Sequence, residues 1–224
     1  MDYSPIWVSL KTGIITILVT FVLGLLTAKW VISRKSEKTK IIIDGILTMP
    51  LVLPPTVAGF FLLYIFGVNG FIGKYVHEIF GFKIAFSWVA TVIAAVVISF
   101  PLMYRSARGA FEQVDQDMID AARTLGMSEW TIFFKVMIPN ALSGIVSGGV
   151  LAFARGLGEF GATSMLAGNI AGKTRTLPLA VYSEVAGGNM DKAFVYVMII
   201  VMICFVAVVL MNTYLVLLKR RQKH

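Results

Sequence analysis

The chain has 224 residues, of which 58% are hydrophobic and 14% charged, with a formal net charge of +8 and a mean hydropathy of +0.83. Soluble domains carry about 25% charged residues. The composition therefore excludes an ordinary soluble enzyme and points to an integral membrane protein. The basic residues lie mostly just outside apolar runs, where they orient spans. That placement implies no nucleic-acid partner.

The first apolar run covers residues 6–32, enough to cross a core that needs about 20 apolar residues. It does not read as a signal peptide, because no basic stretch precedes it and no Ala-x-Ala site follows. Lys29, Arg34, Lys35, Lys38 and Lys40 follow or close it. The positive-inside rule makes that loop cytoplasmic and the N-terminus external.

The second run, 41–66, contains Pro50, Pro54 and Pro55. Proline removes a helix hydrogen bond and clashes with the preceding turn, so a broken helix is expected here. Breaks at membrane depth are tolerated beside a cavity or a packed neighbour. Pro54, Pro55 and Thr56 are accordingly candidates for a translocation path, with a plain structural kink as the alternative.

Residues 67–83 read as a short external segment broken by Asn69, Gly70 and Gly73, with His77 as a solvated loop residue. The third span covers 84–104, closed by Arg105 and Arg108. The fourth covers 138–157, where Gly144, Gly148 and Ala152 form a small-residue face suited to close helix contact. The glycine-rich stretch 156–189 is expected outside, with a re-entrant piece and a short helix near 177–186. The fifth span covers 193–218 and ends in Lys219, Arg220, Arg221 and Lys223, a cytoplasmic anchor near anionic lipid. Cys204 lies within that run and forms no internal disulfide.

Between spans three and four lies a loop, 115–137, and with it the longest charge-bearing segment, 120–139. It reads as two short helices with a break. Met118, Ile119, Ala122 and Leu125 fall at helical spacing, and Gly126 suits the left-handed residue after a helix. Ser128 is placed to cap a second helix striped by Trp130, Phe133, Phe134 and Met137. Pro139 then opens the next apolar run, where a missing N–H costs little.

The order Asp120-Ala121-Ala122, three residues, Gly126, nine residues, Val136-x-Ile138-Pro139 resembles the EAA coupling loop of importer-type ABC transporter permeases. The family pattern has Glu, Ile and Leu where this chain has Asp120, Val136 and Ile138. The resemblance implies that these residues dock a cytoplasmic ATPase. It further implies a homodimer with two ATPase subunits, and an external binding protein that carries the affinity.

Arg155-Gly-Leu-Gly-Glu-Phe-Gly-Ala-Thr, then Gly172-Lys-Thr-Arg-Thr-Leu-Pro-Leu-Ala-Val-Tyr and Gly187-Gly188, is similar to molybdate-transporter permeases. So is Pro54-Pro55-Thr56-Val57-Ala58-Gly59. Sulfate and tungstate permeases are close relatives. Arg155 and Glu159 stand i,i+4 and can pair, either as a structural ion pair or beside the permeant path. Thr56, Thr163, Ser164 and Asn169 are hydroxyl and amide donors for a tetrahedral dianion. A path must release what it admits, so no tight cage is expected.

Residues 167–174 fit a loosened P-loop expression, but a membrane segment and Pro178 flank them where a P-loop needs a buried strand and a helix. No catalytic constellation and no metal set is present in the sequence, and no cofactor is called for. The fold class expected is all-α: a polytopic integral membrane bundle of five transmembrane helices plus a cytoplasmic coupling helix pair, one transmembrane domain over 1–224. The function expected is the permease subunit of an ABC importer for molybdate or a similar oxyanion in the cell membrane, with ATP hydrolysis in the partner. The rivals are a sulfate or tungstate permease, a stand-alone carrier or channel, which would need a central ionisable relay, and a membrane scaffold, which leaves the broken second span unexplained.

Overall fold

The computed structural model describes residues 2–221, with side chains to residue 217, as helices joined by short turns. They are α1 (Ser4–Ile32), α2 (Glu37–Val52), α3 (Pro55–Phe66), α4 (Phe71–Phe80), α5 (Trp88–Glu112), α6 (Gln116–Thr124), α7 (Glu129–Ile132), α8 (Ile138–Leu157), α9 (Gly161–Leu166), α10 (Leu177–Ala186) and α11 (Met190–Arg221). Among the described residues there is no strand. Four helical stretches are long and apolar enough to cross a membrane: α1, α5, α7 through α8, and α11. The pair α2 and α3 makes a fifth if counted as one bent crossing. The basic tail expected at Lys219, Arg220, Arg221 and Lys223 lies outside the described side chains.

The centre of the bundle is α1, α5 and α8. In a membrane, apolar side chains gain little by leaving lipid, so close packing and hydroxyl bonds must hold helices together. Both occur. Helices α1 and α5 run parallel, and Thr12 meets Thr91 at 3.1 Å while Thr20 meets Ser99 at 3.4 Å. Trp88 Nε1 donates to Thr12 Oγ1 at 3.0 Å. Helix α8 runs antiparallel to α5 along the expected small-residue face. A Cβ on Gly144 would fall 2.6 Å from the Ala110 Cβ, and one on Gly148 only 2.4 Å from the Ser106 Cβ. Ala152 is buried on the same face. Only glycine permits this approach.

The second run breaks where the prolines predict. Leu53 and Pro54 are extended, α3 starts at Pro55, and α3 turns 109° away from α2. Proline suits the first helical position because the N–H it lacks would have had no partner there. Pro50 is carried inside the last turn of α2.

Several boundaries differ from expectation. Residues 67–83 are not an irregular loop but hold α4, which starts after Gly70 and ends on the left-handed Gly81 (φ +63°). His77 is half-buried on it rather than solvated. The third span does not begin at residue 84: Ile84–Ser87 form a turn, and the Ser87 hydroxyl caps α5 at Ala90 N–H. At its other end α5 continues past Tyr104 to Glu112, because Arg105, Arg108 and Glu112 are good helix formers in water as well as at an interface.

Residues 115–137 are not two separate helices ahead of a third. The second helix runs on into α8 through a π turn, Phe133–Met137, where Ile138 N–H reaches Phe133 O. Pro139 explains this turn. It has no N–H for the Lys135 carbonyl, and its ring would press on that carbonyl in an α-turn. The wider turn makes room, and Asn140 Nδ2 donates to Val136 O at 2.8 Å.

Candidate functional site

The elbow formed by α6 and α7 projects from the end of the bundle where α1 and α5 finish. Its shape is set locally. Asp115 caps α6 by accepting from Asp117 N–H at 2.9 Å. Gly126 stands at φ +75°, with Gly126 N–H on Arg123 O and Met127 N–H on Ala122 O, the paired bonds of a Schellman stop. Ser128 Oγ accepts from Thr131 N–H at 3.2 Å and caps the second arm. Ile119, Ala122 and Ile132 close the inside of the elbow against Val114, Val136 and Met137.

The expected apolar stripe therefore divides. Ile119 and Ala122 are buried within the elbow, while Met118 and Leu125 face outward, Leu125 being 77% exposed. Trp130 and Phe134 are also more than half exposed. Of the residues singled out for docking, Asp120, Ala121, Gly126 and Pro139 lie on the surface, Ala122 is buried, and Val136 and Ile138 are half-buried at the hinge with α8.

Asp120 is tied within its own helix. Its Oδ1 accepts from Arg123 Nη1 at 2.9 Å and from Gln116 Nε2 at 3.1 Å. Arg123 reaches across the break to Glu129 with Nε–Oε1 at 2.8 Å. The Glu129 carboxylate, with Asp120 second, raises the Arg123 pKa above its ordinary value. The elbow is thus held by one arginine between two acids.

At the opposite end the residues proposed for a path split into two groups. Arg155 Nη1 lies 2.6 Å from Glu159 Oε2, and the Glu159 side chain is buried. Its other oxygen accepts from Ala162 N–H at 2.8 Å, so Glu159 also caps α9. This pair positions α9, and the acid cancels the positive charge expected of Arg155. Thr163 is buried on α9, and Ser164 Oγ donates to Gly161 O at 2.9 Å. Asn169 is engaged by Ser183 and Arg175.

Helix α9 seats directly under the broken span. A Cβ on Gly59 would lie 2.7 Å from the Ala162 Cα, and one on Gly161 would lie 3.1 Å from Thr56 N. The structure therefore brings Pro55 and Thr56 against Gly161, two residues before Thr163, and leaves Thr56 exposed at the rim. The Gly172-Lys-Thr run forms a turn, with Lys173, Thr174 and Arg175 N–H all on Ile170 O and Thr174 Oγ1 accepting from Ile170 N–H. No strand stands before it among the described residues, which removes the P-loop geometry.

Two groupings escaped the sequence. Arg108 Nη1 pairs with Asp44 at 2.8 Å and its Nε with Glu112 at 2.7 Å, while Tyr104 OH donates to Asp44 at 3.0 Å. This cluster ties α2 to α5. The lone acid in an apolar run was its signal. The second is Lys29 beneath Trp130, joining α1 to the elbow.

Residues 20–224 match the family model described as binding-protein-dependent transport system inner membrane component. The chain belongs to that family. This permease is 45% identical over 183 residues to the molybdenum transport system permease protein ModB of Haemophilus influenzae, covering 82% of this chain and 80% of that one. It is 44% identical over 194 residues to ModB of Escherichia coli, covering 86% and 84%. Its fold is shared with the inward-facing MetNI methionine ABC transporter, at a TM-score of 0.72 and 17% identity, covering 96% of this chain and 94% of that chain. The permease is a multi-pass membrane protein and the transmembrane subunit of an ABC importer, working with ATPase and binding-protein partners.

Proposed function

We propose that the permease translocates molybdate across the cell membrane. The observation that carries this is its 45% identity to a molybdenum permease over most of both chains. The chemistry supports it. A tetrahedral dianion needs donors and weak positive potential rather than a cage, and the rim of the broken span offers Thr56 beside the α9 backbone while the Arg155 charge is neutralised.

In this reading five spans cross with the N-terminus outside and the C-terminus in the cytoplasm, and two copies assemble in the bilayer with two ATPase subunits. Asp120, Ala121, Ala122, Gly126, Val136, Ile138 and Pro139 shape the elbow that each ATPase grips, and the ATPases hydrolyse the ATP. Leu125, Met127 and Trp130 supply exposed apolar surface for that grip. Pro54, Pro55, Thr56, Thr163 and Ser164 border the path, and the Arg155–Glu159 pair holds its frame. Closure of the ATPases moves the elbows, and the continuous helix from α7 into α8 passes the motion to the spans. Coupling of this kind needs an element that both sites bias.

The test is ATPase stimulation in the reconstituted complex by binding protein loaded with molybdate, tungstate or sulfate. Stimulation and uptake with molybdate are expected. Stimulation by sulfate alone would overturn the assignment.

A further inference from the structure

A polar cleft of about 450 Å³ opens between α5 and α8 on the elbow side of the bundle, lined by Arg105, Ser106, Gln113, Asn140, Ser143 and Ser147 among others. Its floor is the seam where Gly144 and Gly148 let the two helices touch. A second space of about 250 Å³ shares Arg105 and Gly109 with it and is bordered by Asp44, Arg108 and Glu112.

Three features make this cleft more than a gap between helices. First, a guanidinium, two amides and three hydroxyls converge on one face. A face of that kind set against lipid is costly, so it belongs beside water or a polar ligand. Second, the acids nearby are already taken. Arg108, one turn beyond Arg105, holds both Asp44 and Glu112. Arg105 itself is exposed and makes no ion pair among the described residues. Arg123 and Arg155, by contrast, are each paired with acid. Third, donors remain. Ser147 bonds back to Ser143 O, but the Ser106 and Ser143 hydroxyls and the Gln113 amide make no hydrogen bond within the described residues. The space exceeds a bare tetrahedral oxyanion and suits one that keeps part of its water, which is how a site releases what it receives.

We infer that the α5–α8 cleft is an anion-release vestibule, in which Arg105 attracts the oxyanion leaving the path and the Ser106, Ser143 and Gln113 side chains hydrate it. The inference rests on reading the chain as an oxyanion permease. It adds a site on the elbow side that is distinct from the Thr56 rim.

The test uses the full transporter, with Cys204→Ser and Ser143→Cys, and reads the rate at which the new thiol reacts with methanethiosulfonates. Each rate is normalised to that on a small free thiol. The anionic sulfonatoethyl reagent should react about tenfold faster than the cationic ammonioethyl reagent, since a local positive charge concentrates anions. Added molybdate should slow the reaction. Arg105→Gln should abolish the preference, and Arg105→Lys should restore most of it. An anionic preference that survives Arg105→Gln, or no preference at all, overturns the vestibule. Protection by sulfate without protection by molybdate supports the vestibule and sinks the molybdate assignment, so the two can fail separately.

Discussion

Lys29, in the last turn of α1, places its ammonium 3.3 Å from the centroid of the Trp130 ring and 4.5 Å from that of Phe133. The first span and the elbow are joined through that ammonium, and Phe133 is itself buried against Phe111 of α5. A cation over an aromatic face contributes about 0.5–2 kcal/mol. Lys29→Met or Trp130→Leu is therefore expected to loosen the elbow without unfolding the bundle. Hydrogen exchange of residues 116–132 should speed up in both variants while α5 stays protected, and ATP-driven uptake should fall several-fold. Unchanged exchange would mean the stack does not hold the elbow.

Gly126 offers a cleaner perturbation. It lies at φ +75°, and nothing stands within 4 Å of a Cβ added there. Any penalty then comes from the backbone, about 1–2 kcal/mol for an L-residue in the left-handed region. Gly126→Val should break the Schellman stop and reduce co-purification of the ATPase subunit. Gly126→Asn, which tolerates that conformation, should retain it.

The Arg123 bridge makes a statement about pH. Its partners raise its pKa above the ordinary arginine value, so the group favours the folded elbow at every pH below that of the unfolded side chain. The contribution fades only as pH rises through the folded value, beyond any working range. Exchange protection of the elbow is thus expected to stay level from neutral to mildly alkaline pH. Arg123→Gln should lower protection, and more at low salt than at high salt, because the pair is exposed and screened.

Glu159 performs two tasks, pairing Arg155 and capping α9. Glu159→Gln keeps an acceptor for Ala162 N–H and loses the charge; Glu159→Ala loses both and strands Arg155. The alanine variant is expected to cost about 2 kcal/mol or more and the glutamine variant clearly less. Thermal denaturation in detergent distinguishes them. Equal losses would show that the cap contributes nothing.

The contact of α3 with α9 is tight at Gly59, where a Cβ would lie 2.7 Å from the Ala162 Cα and 2.9 Å from the Met165 Cβ. Neither can swing away, because one is backbone and the other is bonded directly to backbone. Gly59→Ala should cost about 1–3 kcal/mol by overpacking and impair uptake by lifting α9 from the broken span. Gly45→Ala is the control. Nothing lies within 4 Å there, and alanine in a helix should be neutral or stabilise by up to about 1 kcal/mol.

Much of this protein was legible in its residue order because its signals are local. Apolar runs, basic flanks, the three prolines of 41–66, Gly126 at the elbow and the glycine spacing of 138–157 each act within a few turns of chain. They sufficed for the helical membrane bundle and the break in the second span, while the permease family came from the resemblance of the 120–139 pattern to a known coupling loop. Signals that compete locally misled. Gly70 and Gly73 read as breakers, but Gly70 only precedes the start of α4 and Gly73 is buried within it, and Pro139 read as a helix start although a π turn carries the helix past it.

The rest was decided by folding, because it depends on pairs distant in the chain. Asp44 meets Arg108 only once α2 lies on α5, and Lys29 finds Trp130 only once α1 reaches the elbow. Which arginines are paired and which is left to face a cleft is likewise a property of packing: a charge is neutralised by what is near it in space. Residue order established that this chain crosses a membrane as a permease. The tertiary structure decided where its charges cancel, as at Arg108, Arg123 and Arg155, and where, as at Arg105, an arginine makes no ion pair among the described residues.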